Sequence, residues 1–217
     1  MPAIIADLQD AFRWVHGEGA ARFGADPARI GVVGGSAGGY LALMAGCCVQ
    51  PRPRALVSCY GYGDIIGPWY SKPDPGYCRQ PLVSREEAYA SVGQPGISGT
   101  PGANERWRFY LYCRQHGLWP QEVLGADPAA APERFGHFCP EQQVTGEYPP
   151  TLLLHGDQDT DVPHALSVSM AAALARAGVE HELIIIPGGG HGFDGAGEEA
   201  AMAARRRALD FLGEHVR

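Results

Sequence analysis

The stretch that most limits what this chain can become is Val33-Gly34-Gly35-Ser36-Ala37-Gly38-Gly39-Tyr40. It follows an apolar run, Ile30-Gly31-Val32-Val33, and precedes small residues in a helical pattern, Leu41-Ala42-Leu43-Met44-Ala45. Strand, Gly-x-Ser-x-Gly, helix is the setting that lifts a serine on a sharp turn as a nucleophile. So tight a reversal implies a strained serine backbone, and it implies that side chains at positions 34 and 38 would collide. The turn is reactive only if the rest of the chain supplies a histidine and a carboxylate. Without them it is a glycine-rich turn holding an incidental serine.

On either side of the turn the pattern alternates. Ile4, Ile5, Leu8, Ala11, Phe12 and Val15 recur at helical spacing, so residues 2–16 read as an amphipathic helix. Residues 29–34 read as a strand buried on both faces, followed by the turn and a helix to about residue 50. Residues 55–60 form a second strand, 151–154 a third and 181–186 a fourth; helices are expected over 164–177 and 197–213. Such alternation implies an α/β fold with a mainly parallel sheet flanked by helices. Residues 65–148 differ, being rich in proline and aromatics, with short helices expected at about 84–91, 103–116 and 128–138. They read as a cap-like insertion within a single domain spanning 1–217.

The third strand leads into His155-Gly156-Asp157-Gln158-Asp159-Thr160-Asp161-Val162-Pro163, and the fourth into Gly190-His191-Gly192-Phe193. Both loops lie past strand carboxyl ends, where α/β sheets place their sites. Serine, acid, histidine is also the chain order that accompanies a serine turn of this kind. In these three motifs the chain resembles the α/β-hydrolase superfamily, in the esterase/lipase group near prolyl-oligopeptidase-like and acetyl or feruloyl esterases. The resemblance covers residues 1–60 and 149–217. It implies Ser36 as nucleophile, His191 as general base and Asp159 as the acid, preferred to Asp157 and Asp161 because the family motif carries its acid at the fifth position. Asp64, after the second strand, is the runner-up acid. The Ala37 N–H would be one oxyanion donor, and Tyr62, in Tyr60-Gly61-Tyr62-Gly63, would line the substrate pocket. His155 is expected to pack or hydrogen-bond beside the acid loop without reacting.

Relatives carry a His-Gly-Gly-Gly loop before the first helix, supplying a second oxyanion donor. Here His16-Gly17-Glu18-Gly19 reads instead as a helix end with a glycine stop. The sheet strands that precede the serine strand in the family are also missing, which would leave an apolar edge open to pairing. Truncation of a longer hydrolase is the favoured explanation, and a homo-oligomer through that edge the other. The net charge of −7, with no basic stripe beyond Arg205-Arg206-Arg207, argues against nucleic acid. The six cysteines show no C-x-x-C pair and read as reduced thiols of a cytoplasmic protein, with Cys47, Cys48 and Cys59 buried as small hydrophobes. No run approaches a membrane span. The expected function is serine-dependent hydrolysis of a small-molecule carboxylic ester through an acyl-enzyme, without cofactor or metal. The alternatives are a prolyl-oligopeptidase-like peptidase and a weakly active truncated remnant acting as a binding or structural protein.

Overall fold

The alternation of side chains along the central strands decides the layering. The structure, a computed structural model, describes residues 1–92 and 103–217. Its elements in order are α1 (Pro2–Trp14), α2 (Ala20–Phe23), β1 (Gly31–Gly35), α3 (Ala37–Cys48), β2 (Ala55–Cys59), α4 (Pro68–Ser71), α5 (Arg85–Ala90), α6 (Ala103–His116), α7 (Trp119–Leu124), β3 (Thr151–Gly156), α8 (Ala165–Arg176), β4 (His181–Ile186) and α9 (Glu198–His215). The four strands form one parallel sheet in the order β1-β2-β3-β4. Leu56 and Leu153 join Phe12, Leu43, Met170 and Leu174 in one core cluster. Ala55, Val57, Leu152 and Leu154 point the opposite way and join Ala204, Ala208 and Phe211 of α9. Helices thus cover both faces, as a parallel sheet requires.

The described residues divide into two units, Met1–Ile65 with Glu133–Arg217, and Ile66–Pro132. Residues 133–148 therefore fall in the sheet unit, short of the boundary expected at 148. In the smaller unit, Arg114 of α6 is buried, 1% exposed, and pairs with Asp74 at 2.9 Å. Its guanidinium lies over the rings of Tyr77 and Tyr70, 4.7 and 5.1 Å from their centroids. Asp74 also accepts from the Gly76 and Tyr77 backbones, and Ser84 and Glu87 form a capping box at the start of α5.

Several expectations are corrected. The first helix does not stop at Gly17 or Gly19: it runs through a π-helical turn, Val15–Gly19, into α2, and ends at Gly24 with φ 62°. β1 is an outer strand of the sheet and is not buried on both faces; Val33 is 57% exposed. The helix expected at 128–138 is instead a set of 3-10 turns, Pro132–Arg134, Gly136–Phe138 and Pro140–Gln142, because Pro132, Gly136 and Pro140 interrupt the ladder. The short helix α7 was not expected. Cys47, Cys48 and Cys59 are half-buried rather than buried. No helix among the described residues is long and apolar enough to cross a membrane.

Candidate active site

β1 delivers Ser36 directly into a strained turn. Ser36 has φ 56° and ψ −122°, and its N–H donates to the Cys59 carbonyl at 2.9 Å. A non-glycine residue at positive φ is held only where its surroundings over-determine it. Gly34 is what makes the turn possible: a Cβ there would lie 2.1 Å from the Gly38 carbonyl oxygen. The expectation for Gly38 is corrected, since a Cβ at that position meets nothing within 4 Å. The turn brings the Gly38 backbone onto the Gly34 Cα, while the Gly38 Cα itself faces open space. Sterics also disfavours a side chain at Gly35, whose Cβ would lie 2.6 Å from the Tyr60 hydroxyl oxygen, and at Gly39, whose Cβ would lie 2.9 Å from both Ser58 Oγ and Gly61 Cα. Ala37 is the first residue of α3. At this position a backbone N–H has no acceptor one turn back, and helix dipoles favour negative charge there.

Two loops bring the other groups to the serine. β3 runs through His155 to Gly156, where a Cβ would lie 2.0 Å from the Gly189 carbonyl oxygen, so the acid and histidine loops touch backbone to backbone. Asp157 fastens them: its Oδ1 accepts from the Gly188 N–H at 2.8 Å, and the Gln158 N–H donates to the Gly189 carbonyl at 2.8 Å. Asp159 Oδ1 accepts from the Asp161 and Val162 N–H groups, each at 2.9 Å, and its side chain is fully buried. His191 opens a 3-10 turn closed by Gly192 at φ 75° and Phe193 at φ 69°, with the Phe193 side chain seated in the core.

The result is one line of hydrogen bonds. His191 Nδ1 lies 2.8 Å from Asp159 Oδ2, and Nε2 lies 3.0 Å from Ser36 Oγ. A carboxylate only accepts, so Nδ1 carries the hydrogen and Nε2 of the neutral ring is left to accept from the Ser36 hydroxyl. The Tyr60 ring stands edge-on to His191 at 4.9 Å and to Phe193 at 5.0 Å. Tyr60, at φ 40°, and Phe193 are, besides Ser36, the other non-glycine residues at positive φ among those described, so backbone strain gathers at this site. Burial pushes the Asp159 carboxyl up, but hydrogen bonds from His155, His191 and the Val162 N–H outweigh it and hold it below the usual carboxylate range. The hydrogen bond to Asp159 raises the His191 imidazolium; desolvation opposes this, and the charges of Asp159, Asp161 and Asp194 add to the rise.

Ser36, Asp159 and His191 are therefore brought together, with Ala37 beside them. Asp64 is not at the imidazole: its Oδ1 lies 3.6 Å from Cys139 Sγ. Tyr62 is buried, 6% exposed, with its ring stacked on Tyr40 at 5.2 Å; the ring beside His191 is that of Tyr60. Sequence reasoning missed the loop-fastening role of Asp157. It also missed Asp161, whose Oδ2 lies 3.7 Å from His191 Nε2. The spacing Asp157-x-Asp159-x-Asp161 was visible, but only the fold shows that the three carboxylates diverge. Among the described residues no group of three or more His, Cys, Asp or Glu side chains is arranged to hold a metal.

Comparisons with known proteins bear on the family and the fold. The family model described as "Prolyl oligopeptidase family" matches residues 103–217, and the BD-FAE model matches residues 1–53. Esterase LipQ of Mycobacterium tuberculosis (strain ATCC 25618 / H37Rv) is 28% identical over 215 residues, covering 98% of this chain and 44% of that protein. Esterase LipC of the same organism is 30% identical over 202 residues, covering 89% of this chain and 41% of that protein. The chain thus spans less than half the length of these curated relatives. A truncated form of a carbohydrate esterase from gut microbiota superposes with a TM-score of 0.65 at 22% identity, over 100% of this chain and 69% of that one. At that identity the likeness speaks for the α/β-hydrolase fold.

Proposed function

We propose that this chain, which belongs to the prolyl oligopeptidase family of α/β-hydrolases, is a serine hydrolase that cleaves carboxylic esters. The observation that carries the reading is the continuous line from Ser36 Oγ through His191 to Asp159, with both links at hydrogen-bond length. A serine hydroxyl is a poor nucleophile at neutral pH. His191 Nε2 takes its proton as Oγ bonds to the ester carbonyl carbon, and Asp159 stabilises the imidazolium that forms. The Ala37 N–H donates to the developing oxyanion, a contribution of about 3 kcal/mol where such donors have been removed. Collapse of the tetrahedral species breaks the bond to the alcohol oxygen, which leaves with the proton from His191. Water, deprotonated by the same imidazole, then hydrolyses the acyl-Ser36 ester and regenerates the enzyme.

The ester is preferred to the peptide bond because the residue after the nucleophile is Ala37, where peptidases of this resemblance commonly carry an aromatic. The test compares p-nitrophenyl acetate with a proline aminoacyl anilide. The ester is expected to have the higher kcat/KM. A higher kcat/KM for the anilide would make the chain a peptidase, and turnover of neither would favour a binding or structural role.

A further inference from the structure

Asp159 faces two imidazoles, and only one of them is His191. His155, on β3, is completely buried. Its Nε2 lies 3.3 Å from Asp159 Oδ2, the same oxygen that meets His191 Nδ1, and 2.9 Å from the Val162 carbonyl oxygen. Its Nδ1 lies 2.7 Å from Ser167 Oγ on α8. Both partners of Nε2 are acceptors only, so Nε2 must carry the hydrogen. Ser167 is the one partner able to donate, and its hydroxyl then donates to Nδ1 of the neutral ring. The tautomer is fixed from both sides.

We infer that His155 is a positioning residue: through Nε2–H it fixes the orientation and the ionised form of Asp159, and so the ring of His191. The inference rests on the reading of Asp159 as the acid of the hydrolase. The geometry gives His155 a task the neighbouring backbone does not perform. The Asp161 and Val162 N–H groups occupy Oδ1, leaving Oδ2 to the two imidazoles. With one donor removed from Oδ2, the carboxylate can turn about its last bond and the 2.8 Å contact to His191 Nδ1 loosens. Such a loss falls on the proton-transfer step, which needs the ring oriented, more than on substrate binding.

The tautomer can be read in the intact protein. With ¹⁵N-labelled histidine, His155 is expected to carry its hydrogen on Nε2 and to show an unprotonated Nδ1. A ring with its hydrogen on Nδ1 and none on Nε2 would overturn the proposal, since Nε2 would have nothing to give Asp159. Two variants then read the function. His155→Gln keeps an N–H donor close to the Nε2 position, and His155→Leu removes it while keeping an apolar bulk. In ester hydrolysis His155→Leu is expected to lose about ten- to hundredfold in kcat with KM nearly unchanged, the range seen when a partner one step behind a functional group is removed. His155→Gln is expected to recover most of that loss. Equal kcat in the two variants would contradict the inference, because a purely structural histidine gives the amide no advantage. If the leucine variant does not fold, His155→Asn replaces it, its shorter amide reaching toward Ser167 instead of Asp159, with the same order expected. Ser36→Ala run in parallel keeps the two readings apart: full turnover there sinks the serine mechanism, whereas an inert Ser36→Ala beside an undiminished His155→Leu overturns the role of His155 alone.

Discussion

In the sheet unit the largest fully buried side chains are aliphatic or thioether, Leu43, Met44, Leu56, Leu152, Leu153, Leu154, Met170 and Leu174; in Ile66–Pro132 the largest is a cation, Arg114. The first kind of core is held by non-directional burial, about 25 cal/mol per Å² of apolar surface. The second depends on geometry, because a guanidinium is tolerated in the interior only with its carboxylate and ring partners in place. Asp74 and the rings of Tyr70 and Tyr77 supply them. The difference shows where chemistry can be built. An aliphatic sheet can carry strain at its strand ends: Ser36 and Tyr60 directly follow β1 and β2 at positive φ, and Phe193, also at positive φ, lies in the turn after β4. The smaller unit spends its charged pair on its own folding.

The contrast can be pressed hardest by removing the proposed catalytic groups without touching the core. His191→Ala is expected to lower kcat/KM by on the order of 10⁴-fold or more while the thermal midpoint stays close to wild type. Asp159→Asn should also be severely impaired and Asp64→Asn nearly unaffected; the reverse order would return the acid role to Asp64. Next in size is the backbone of the turn. Gly34→Ala forces a Cβ onto the Gly38 carbonyl and should cost more than about 4 kcal/mol in urea unfolding, or prevent folding. Gly38→Ala, with open space around it, should stay within about 1 kcal/mol of wild type. Equal effects at the two positions would break the steric account of the turn.

In the smaller unit, Arg114→Met leaves Asp74 without its cation and should destabilise by about 3–5 kcal/mol, partly recovered by adding Asp74→Asn. No recovery would mean that the cost is lost packing rather than a stranded charge. The smallest effect concerns pH. His191 must be neutral to accept the serine proton, and its imidazolium is raised, so the acid limb of kcat/KM should have its midpoint above 6.5. Asp161→Asn removes a negative charge 3.7 Å from Nε2, which makes the imidazolium easier to deprotonate, and the limb should move to lower pH.

The same contrast explains what could be read from the sequence. The strands beginning at 151 and 181 and the helices after them, expected over 164–177 and 197–213, were legible because burial on a sheet imposes period and apolarity together. Ser36, Asp159 and His191 were legible because each sits in a glycine-marked loop just past a strand end. In Ile66–Pro132 the helices expected at 84–91 and 103–116 are present as α5 and α6, whereas α4 and α7, of four and six residues, are too short for a period to stand out. Arg114, in the run Tyr112-Cys113-Arg114-Gln115, has the composition of a solvated helix face and is instead the centre of the unit. Asp157 and Asp161 escaped for another reason: motif position singles out Asp159 alone, and only the folded loop shows Asp157 accepting from the Gly188 N–H and Asp161 lying 3.7 Å from His191 Nε2. The π-helical turn at Val15–Gly19 left no mark, since glycines there suggest a stop and the helix continues to Phe23.

The account stands most directly on Ser36 being an activated nucleophile. A fluorophosphonate probe applied to the folded protein, followed by peptide mass mapping, tests this without knowledge of the natural substrate. The predicted result is one stoichiometric phosphonyl adduct on Ser36, absent in Ser36→Ala and strongly slowed in His191→Ala. An unlabelled wild-type protein, or a label that persists in Ser36→Ala, would contradict it.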